Sequence, residues 1–171
     1  MDRPLLLSSP AEPAVRLRAI GPQDLEQLRS WKNSNKAGFF FKDEITPDMQ
    51  LRWFEGYKTR PQDYMFVVEH NGRKAGCMGF RLKEDGSVDA YNMMAAPGFE
   101  GKGLMKAAMR VMCSYAAENV GRDIGCLVVL GNPAVRYYEA CGYRVVGEGQ
   151  GHHILKLDWA RFQPVPCEVA A

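Results

Sequence analysis

The feature that most constrains the fold is an amphipathic helix pattern that is followed by a continuous apolar run. Apolar residues from Leu104 to Ala116 recur every three or four positions, which predicts a helix over 103–119 with one buried face. Residues 124–130 are apolar throughout, as expected of a central strand that is buried on both faces. Another strand is predicted over 87–96, before the helix. The unit therefore predicts a crossover connection between two parallel strands.

The remaining segments predict antiparallel neighbours for this pair. Asn71-Gly72 is a typical two-residue hairpin turn, and it joins strands that are predicted over 64–70 and 73–81. The other predicted elements are a strand over 15–20, helices that begin at Pro22 and Thr46, a short helix over 133–140, and strands over 143–147 and 153–157. The pattern predicts an α/β fold in which a mixed central sheet of about seven strands is combined with about four helices.

Length and charge limit the number of domains and the classes of partner. The 171 residues suffice for one domain, which we expect to cover 14–162. Residues 1–13 and 163–171 contain prolines without periodicity, which predicts two flexible tails. A net charge of +2 provides no strong field for nucleic acid or an anionic membrane. No apolar stretch approaches the roughly 18 residues of a membrane span. We therefore expect a cytoplasmic protein that binds neither nucleic acid nor membranes.

Cysteine and histidine usage predicts neither disulfides nor a metal site. The five cysteines are odd in number and form no CxxC pair, which favours buried reduced thiols. His152 and His153 are adjacent, so on a strand their rings point to opposite faces and cannot share a metal ion. We expect no metal cofactor.

A glycine-rich segment, residues 97–105, lies between the predicted strand and the long helix. Glycines allow backbone N–H groups to approach a ligand closely, and the start of a helix carries a partial positive charge. The segment matches neither the GxxxxGK(S/T) nor the GxGxxG pattern. It predicts a site for a phosphate or pyrophosphate group.

Two motifs resemble the GNAT superfamily of acyl-CoA-dependent N-acyltransferases. Gly103 matches the middle glycine of the family's Q/R-x-x-G-x-G/A loop. The family signature A-x-x-x-Y-x-x-x-G-F/Y is matched by Ala134, Tyr138, Gly142 and Tyr143. Together with the order of elements, the resemblance spans residues 15–159. It implies the GNAT fold and acetyl-CoA as co-substrate.

Three positions depart from the family pattern. Glu100 replaces the usual Gln or Arg, Met105 replaces Gly or Ala, and Asn132 lies one residue closer to Tyr138 than the family's asparagine does. A carboxylate beside a pyrophosphate is electrostatically unfavourable unless it points away or pairs with a cation such as Lys102 or Arg110.

The N-terminal half resembles a narrower group within the superfamily. Trp31-Lys32-Asn33 and residues 45–54 are similar to a W-R/K-N … I-x-x-x-x-Q/H-x-x-W-F pattern. That pattern belongs to enzymes for nucleotide-linked amino sugars, of the pseudaminic-acid pathway type, and to relatives that acetylate ribosomal-protein N-termini. The helical spacing of Trp31, Trp53 and Phe54 is equally typical of core anchors.

The resemblance implies roles for residues in both motifs. Tyr138 is the phenol that would protonate the departing thiolate, and Tyr137 should point about 100° away from it. Oxyanion and pantetheine contacts would come from the backbone of Met94, Ala95 and Ala96. The pyrophosphate would be held by Gly101, Lys102, Gly103, Leu104 and Met105, and Asn132 is a further candidate for binding the co-substrate.

The general base is not fixed by the resemblance. Asp89, Tyr91 and Met93 share one face of their predicted strand, and Asp89 is the one carboxylate in that apolar strand. Asp89 is therefore the leading candidate for the base, directly or through water, with Tyr91 beside it. An exposed carboxylate at the strand end is the alternative. Asn92 should face the other way and serve a structural role.

Three functions remain open from the sequence. The first is N-acetylation of a small-molecule primary amine, with an amino sugar or sugar nucleotide as acceptor. The second is acetylation of peptide or protein N-termini, and the third is acyl-CoA binding without catalysis. The aromatic run at 39–41 could stack on the acceptor, form the contact of a homodimer, or belong to the core.

Overall fold

The elements follow the predicted order, with one additional strand at each end of the chain. The computed structural model describes residues 3–171. Its strands are Leu6–Ser8 (β1), Arg16–Ala19 (β2), Asp63–His70 (β3), Arg73–Leu82 (β4), Val88–Ala95 (β5), Ile124–Val129 (β6), Tyr143–Gly149 (β7), His152–Leu157 (β8) and Glu168–Ala170 (β9). The α-helices are Leu25–Ser34 (α1), Pro47–Thr59 (α2), Leu104–Asn119 (α3) and Ala134–Ala140 (α4), and short 3-10 helices cover Pro22–Asp24 and Lys36–Gly38.

A single sheet contains all nine of these strands, in the order β7-β8-β6-β5-β4-β3-β2-β1-β9. The β5–β6 pair is parallel, and the other neighbouring pairs are antiparallel. α3 connects β5 to β6 and packs against β1 to β5. The mixed sheet, the four helices and the parallel crossover are therefore confirmed. No helix within residues 3–171 is long and apolar enough to cross a lipid bilayer.

Local sequence signals explain where several elements begin and turn. Asn71 and Gly72 adopt positive φ values of 49° and 73°, as the tight turn between β3 and β4 requires. The Thr46 hydroxyl accepts a hydrogen bond from the Met49 amide, and Pro47 occupies the first turn of α2. The predicted hairpin and the predicted start of the second helix are both confirmed.

The two ends of the chain differ from the predicted flexible tails. β1 pairs with β2 and with β9, so residues near both termini extend the sheet. Leu7 and Val165 are buried in the core, and Arg110 Nε donates to the backbone oxygen of Gln163 at 2.7 Å. Three-residue strands leave no periodic pattern in the sequence. Ordering comes instead from backbone pairing with the rest of the sheet.

A β-bulge interrupts the pairing of β4 and β5 at the centre of the sheet. Met94 pairs with Cys77 and Tyr91 with Gly79, so that Asn92 and Met93 together oppose one residue of β4. Asn92 has a φ of 52°, in the left-handed region, and such a bulge bends its strand and increases its twist. The expectation that Asp89, Tyr91 and Met93 share one face fails here, because the bulge breaks the alternation after Tyr91.

Candidate active site

The parallel strands β5 and β6 separate soon after they begin. Their pairing is confined to Val88 with Ile124 and Asp89 with Gly125. Beyond this point a cavity of about 700 Å³ opens between the strands, and we call it the main cleft. Leu127 lines the cleft and is 46 % exposed, so β6 is not buried on both faces as predicted. The cleft gives a substrate access to the middle of the sheet.

The glycine loop, residues 97–103, ends at the first turn of α3. Gly98, Gly101 and Gly103 have φ values of 85°, 73° and 75°, a region that other residues rarely adopt. A Cβ at any of these three positions would meet no atom within 4 Å, so space for a ligand adjoins the loop. The first turn of α3 carries no acidic residue to offset its partial positive charge. The amides of residues 104–106, in the first turn of α3, donate to no backbone acceptor within residues 3–171, and such amides can bind a diphosphate.

Both departures from the loop motif have structural explanations. Glu100 Oε2 accepts a hydrogen bond from the Gly98 amide at 2.8 Å, so its carboxylate folds back on the loop. It pairs with neither of the expected cations, since Arg110 Nη1 binds Glu12 at 2.9 Å and Lys102 Nζ lies over the Phe99 ring. The Met105 side chain is buried, and its thioether lies against Gly76 of β4, away from the loop amides.

The three backbone positions proposed for the oxyanion and pantetheine are not equivalent. Met94 and Ala95 line the main cleft, whereas the Ala96 amide already donates to the Ala75 oxygen at 2.8 Å. Because backbone groups alternate between the two edges of a strand, those of Ala95 face the open β6 side. Ala95 is therefore the position whose amide is available for a ligand, and Ala96 is not.

Tyr138 lies on α4 with its ring packed at the edge of Tyr143, 5.4 Å between centroids. It is 8 % exposed and lines the main cleft, and burial raises its pKa well above the ordinary value. Its phenol is therefore neutral and can act as a proton donor. The neighbouring Tyr137 Oη donates to the Met105 oxygen at 2.8 Å, which attaches α4 to the start of α3.

Asn132 is the further candidate for co-substrate binding. Both polar atoms of its side-chain amide form hydrogen bonds to backbone groups of the protein. Oδ1 accepts a hydrogen bond from the Ala134 amide at 3.0 Å, at the beginning of α4. Nδ2 donates to the Gly38 oxygen at 3.3 Å and so connects α4 to the segment before the aromatic run. Asn132 lines the main cleft, where it positions these two elements.

Asp89 and Tyr91 line the main cleft on the same side of the bulge. Arg81 Nη2 lies 3.0 Å from Asp89 Oδ2, while burial raises the pKa of this carboxyl and the guanidinium opposes the rise. Tyr91 Oη donates to the buried carboxylate of Asp63, and burial and Asp63 both raise the pKa of Tyr91. Because the Tyr91 hydroxyl already donates its hydrogen bond to Asp63, Tyr91 is poorly suited to act as the base. Asp89 is the better placed of the two.

A half-buried lysine in the main cleft is a feature whose importance the sequence alone did not reveal. Lys32 Nζ donates to Asn92 Oδ1 at 2.6 Å and lies 4.7 Å from the centroid of the Phe39 ring. Within residues 3–171 no carboxylate pairs with Lys32, and burial lowers its pKa. Asn92 was expected to face away, but the bulge turns it toward Lys32. The signal in the sequence was the basic residue of Trp31-Lys32-Asn33.

A second cavity of about 250 Å³, which we call the inner pocket, adjoins the main cleft. The two cavities share Lys32, Phe41, Trp53, Asn92 and Met94. The inner pocket is otherwise lined by Gln50, by Ile45 in the segment before α2, and by apolar residues of α1, α2 and the sheet. Trp31 and Phe54 belong to the buried core, whereas Trp53 lines both cavities.

The cysteines of the chain are free thiols, most of them buried. All five cysteines are free, and burial raises the pKa of Cys77 and of Cys113 to about 12. These thiols are therefore protonated and poor nucleophiles. Within residues 3–171 no group of three His, Cys, Asp or Glu side chains could hold a metal ion.

Comparison with known proteins places this geometry in a family. Residues 14–144 match the family model of the acetyltransferase (GNAT) domain. The chain belongs to the GNAT acetyltransferase family. It is accordingly an acetyl-CoA-dependent N-acetyltransferase. No curated protein matches its sequence.

Several solved structures share this fold. A spermidine N-acetyltransferase from Vibrio cholerae, in complex with CoA and spermine, superimposes with a TM-score of 0.71 at 21 % identity, over 84 % of this chain and 93 % of that one. Apo FdhC, a nucleotide-linked sugar GNAT, gives a TM-score of 0.72 at 15 % identity, over 95 % of this chain and 93 % of that one. A domain from Methanocaldococcus jannaschii DSM 2661 gives 0.73 at 14 % identity, over 83 % of this chain and 96 % of that one.

Proposed function

We propose that this GNAT enzyme acetylates the primary amine of a small molecule that also carries an anionic group, with an amino sugar or sugar nucleotide as the best-fitting class. The observation that carries this proposal is the charge of the main cleft. Its charged lining residues are Lys32, Arg81 and Asp89, and the last two neutralise each other. Lys32 remains as a half-buried cation beside aromatic rings.

A polycationic acceptor fits this cleft poorly. Spermine, which is bound in the Vibrio cholerae enzyme, carries several positive charges, and a half-buried lysine without a carboxylate partner would repel them. An acceptor with a phosphate or carboxylate would instead form a charge-assisted hydrogen bond to Lys32. The aromatic residues Phe39, Phe41 and Trp53 offer apolar surface to the uncharged part of such a molecule.

The donor half of the site fits acetyl-CoA. The amides at the start of α3 and the glycine loop would bind its pyrophosphate, and the open edge of β5 would hold the pantetheine. Acetyl-CoA supplies a thioester whose carbonyl carbon is attacked by the acceptor amine. The Ala95 amide at the open edge is positioned to stabilise the negative charge that develops on the carbonyl oxygen.

Proton transfers in the proposed reaction are assigned to Tyr138 and Asp89. The amine nitrogen forms a bond to the carbonyl carbon, the carbon–sulfur bond breaks, and the Tyr138 hydroxyl gives its proton to the sulfur. The amine's excess proton passes to the Asp89 carboxylate, directly or through water. Burial raises the pKa of Tyr138, so its hydroxyl keeps its proton until the sulfur leaves.

The test is a measurement of CoA release and of acetylated product with a panel of amines. The panel contains a nucleotide-linked amino sugar, the free amino sugar, spermidine and a short peptide with a free N-terminus. We expect the anionic acceptor to give the highest kcat/KM, and Lys32→Met to remove that preference. Preferred acetylation of spermidine or of the peptide would overturn the proposal.

A further inference from the structure

Three charged residues form a row across the neighbouring strands β3, β4 and β5. Asp63 of β3 pairs in register with Arg81 of β4, and Arg81 pairs in register with Asp89 of β5. Side chains that lie directly opposite each other on antiparallel strands share one face of the sheet, with Cβ atoms about 4.5–5.5 Å apart. Arg81 is therefore within reach of two carboxylates, one on each side.

Arg81 pairs with Asp89 in the structure. Its Nη2 lies 3.0 Å from Asp89 Oδ2, and its Nε donates to the same oxygen at 3.1 Å. Among the ion pairs of residues 3–171, that of Asp63 is with Arg60. Because both contacts from Arg81 use Oδ2, the ion pair leaves the Oδ1 atom of Asp89 to accept a proton.

Asp63 does not compete for Arg81, because other donors occupy both oxygens of its carboxylate. Arg60 Nε donates to Oδ2 at 2.7 Å, and the Tyr91 hydroxyl donates to Oδ1. The carboxylate is almost fully buried, so bulk water cannot readily replace a donor that is lost. Burial and the Asp63 carboxylate both raise the pKa of Tyr91, which keeps its hydroxyl protonated as a donor.

The Tyr91 ring lies against the guanidinium of Arg81. Arg81 Cζ is 4.5 Å from the centroid of the ring, which is a cation–π contact. Tyr91 follows Asp89 by two positions on β5, so both side chains lie on the same face of the strand, before the bulge at Asn92. One tyrosine thus covers Arg81 with its ring and satisfies Asp63 with its hydroxyl.

We propose that Tyr91 is a positioning residue for the general base: its hydroxyl occupies the Asp63 carboxylate and thereby leaves Arg81 to Asp89. This rests on the proposed function, in which Asp89 accepts the proton of the amine. Without the hydroxyl, Oδ1 of Asp63 would lose its donor, and Arg81, directly opposite on β4, could supply another. Arg81 would then divide between two carboxylates, and Asp89 would lose part of the positive charge that stabilises its ionised form.

The groups around Asp89 determine the sign of the expected effects. Burial raises the pKa of Asp89, Arg81 and Lys83 lower it, and the Asp63 carboxylate adds to the rise. Loss of Arg81 from the pair would therefore raise the pKa of Asp89, whereas loss of the Asp63 charge would lower it. Three further titratable groups near Asp89 are uncharged at neutral pH, because burial raises the pKa of each: Tyr91 of its own strand, Cys126 of β6 and Tyr138 of α4.

The test compares the pH dependence of kcat/KM in two variants, with the best acceptor of the amine panel. Tyr91→Phe removes the hydroxyl and keeps the ring, so Arg81 is drawn toward Asp63 and the acidic limb should move to higher pH. Asp63→Asn removes the competing charge, so the limb should move to lower pH. At a fixed pH on the limb, kcat/KM should fall by about two- to fivefold in Tyr91→Phe and rise by a similar factor in Asp63→Asn, as expected for an ion pair with a half-exposed arginine.

The double variant distinguishes this arrangement from two independent effects. In the Asp63→Asn background there is no carboxylate for the hydroxyl to occupy, so adding Tyr91→Phe should move the limb little. If the limb moved in the same direction in both single variants, or if the double variant showed the sum of two separate shifts, the proposal would be overturned.

Two matched controls exclude a general effect on stability. Asp24→Asn removes another buried carboxylate that is paired with an arginine, and Tyr137→Phe removes another hydroxyl that donates to a protein oxygen. Neither residue lines the main cleft. Both variants should keep the acidic limb at its wild-type position, even where the free energy of unfolding falls. A limb that moved as far in these controls would contradict the role of Tyr91.

A measurement that needs no acceptor separates this proposal from the proposed function. NMR titration of protein labelled at the aspartate carboxyl carbons follows Asp89 directly, and its signal is identified by its loss in Asp89→Asn. Asp89 should titrate at higher pH in Tyr91→Phe and at lower pH in Asp63→Asn.

The two failures then give different results. If Asp89 titrates as expected but Asp89→Asn retains the acidic limb of kcat/KM, Asp89 is not the base, and the control of Arg81 by Tyr91 still stands. If Asp89→Asn loses the limb but neither variant moves the titration of Asp89, the role of Tyr91 is refuted and the assignment of the base stands.

Discussion

The thioether of Met105 occupies the space beside Gly76 that a side chain at that position would need. A Cβ on Gly76 would lie 2.8 Å from Met105 Sδ and would collide with the backbone oxygen of Met94. Because Gly76 of β4 has no side chain, the large side chain of Met105 fits at the last position of the loop motif. The first turn of α3 can then pack closely against β4.

Replacement of Gly76 by alanine should therefore destabilise the protein. We expect Gly76→Ala to lower the free energy of unfolding by about 1–3 kcal/mol, because the backbone oxygen of Met94 cannot move as freely as a side-chain tip. Gly56→Ala is the control: Gly56 lies within α2 and its added Cβ would meet only the end of the Arg60 side chain, so a gain of about 0.5–1 kcal/mol is expected. Urea denaturation of both variants measures the difference. If Gly76→Ala were as stable as the wild type, the close packing at Gly76 would be contradicted.

Glu100→Gln should strengthen acetyl-CoA binding. The substitution keeps an acceptor for the Gly98 amide but removes a negative charge beside the amides proposed to bind pyrophosphate. Because Glu100 is exposed, we expect an increase in affinity of up to about fivefold at low ionic strength, and less at high salt.

Calorimetric titration with acetyl-CoA measures this change, with Glu118→Gln as the control. Glu118 is exposed near the far end of α3, about 20 Å along the helix axis from the loop, and its replacement should leave the affinity unchanged. If Glu100→Gln bound acetyl-CoA and the wild type did not, the result would show that the Glu100 carboxylate prevents acetyl-CoA from binding. If neither the wild type nor Glu100→Gln bound acetyl-CoA, the assignment of the glycine loop to the pyrophosphate would be wrong.

The sequence predicted the fold well where the signals are local. The Asn71-Gly72 turn, the Thr46 cap and the periodicity of α3 each lie within one short segment, and the structure has all three. The parallel pair followed from the crossover rule, which requires only the order of elements. The terminal strands could not be predicted in this way, because three residues carry no periodicity and their pairing partners lie far along the chain.

The candidate site was predicted only in part for the same reason. Tyr138 and the glycine loop belong to motifs; Tyr138 lines the main cleft, and the loop lies at the start of α3, outside the lining of that cleft. The partners of Tyr91 and Asn92, by contrast, are Asp63 and Lys32, 28 and 60 residues away. Those contacts depend on strand register and on the bulge at Asn92, which no local pattern revealed.

Tyr138→Phe should impair catalysis while leaving donor binding intact. Loss of the proton donor to the leaving sulfur is expected to lower kcat by about 10²-fold or more, with little change in the KM for acetyl-CoA. Tyr137→Phe removes a hydrogen bond to Met105, so it should cost about 1 kcal/mol of stability and leave kcat within a few-fold of the wild type. Steady-state kinetics on both variants decide the assignment. Equal losses of kcat would indicate that the tyrosines act through the packing of α4.

Asp89→Asn should change the pH dependence of kcat/KM as well as its magnitude. The base must be ionised, so activity is lost as the pH falls through the pKa of Asp89, which burial raises above the ordinary carboxyl value. We expect a loss of about 10²-fold and the disappearance of this acidic limb in Asp89→Asn. Asp123→Asn, at an exposed position, should retain the wild-type profile. A limb that persisted in Asp89→Asn would assign the base to another group.

Asp24 should make stability depend on pH in the acidic range. Burial alone would raise its pKa, but hydrogen bonds from Arg18, Lys74 and the Gly21 amide outweigh this and lower the pKa to about 2, below its ordinary value of 3.8. A carboxyl with a lowered folded-state pKa stabilises the protein above its unfolded-state pKa, and this contribution is lost as the pH falls from about 4 to about 2. The difference of nearly two pKa units corresponds to about 2 kcal/mol of stability.

The wild type should therefore be more stable than Asp24→Asn at neutral pH. Urea denaturation should show that this difference in the free energy of unfolding narrows below about pH 4. A gap that stayed constant down to pH 2 would mean that packing, and not the charge of Asp24, accounts for the difference.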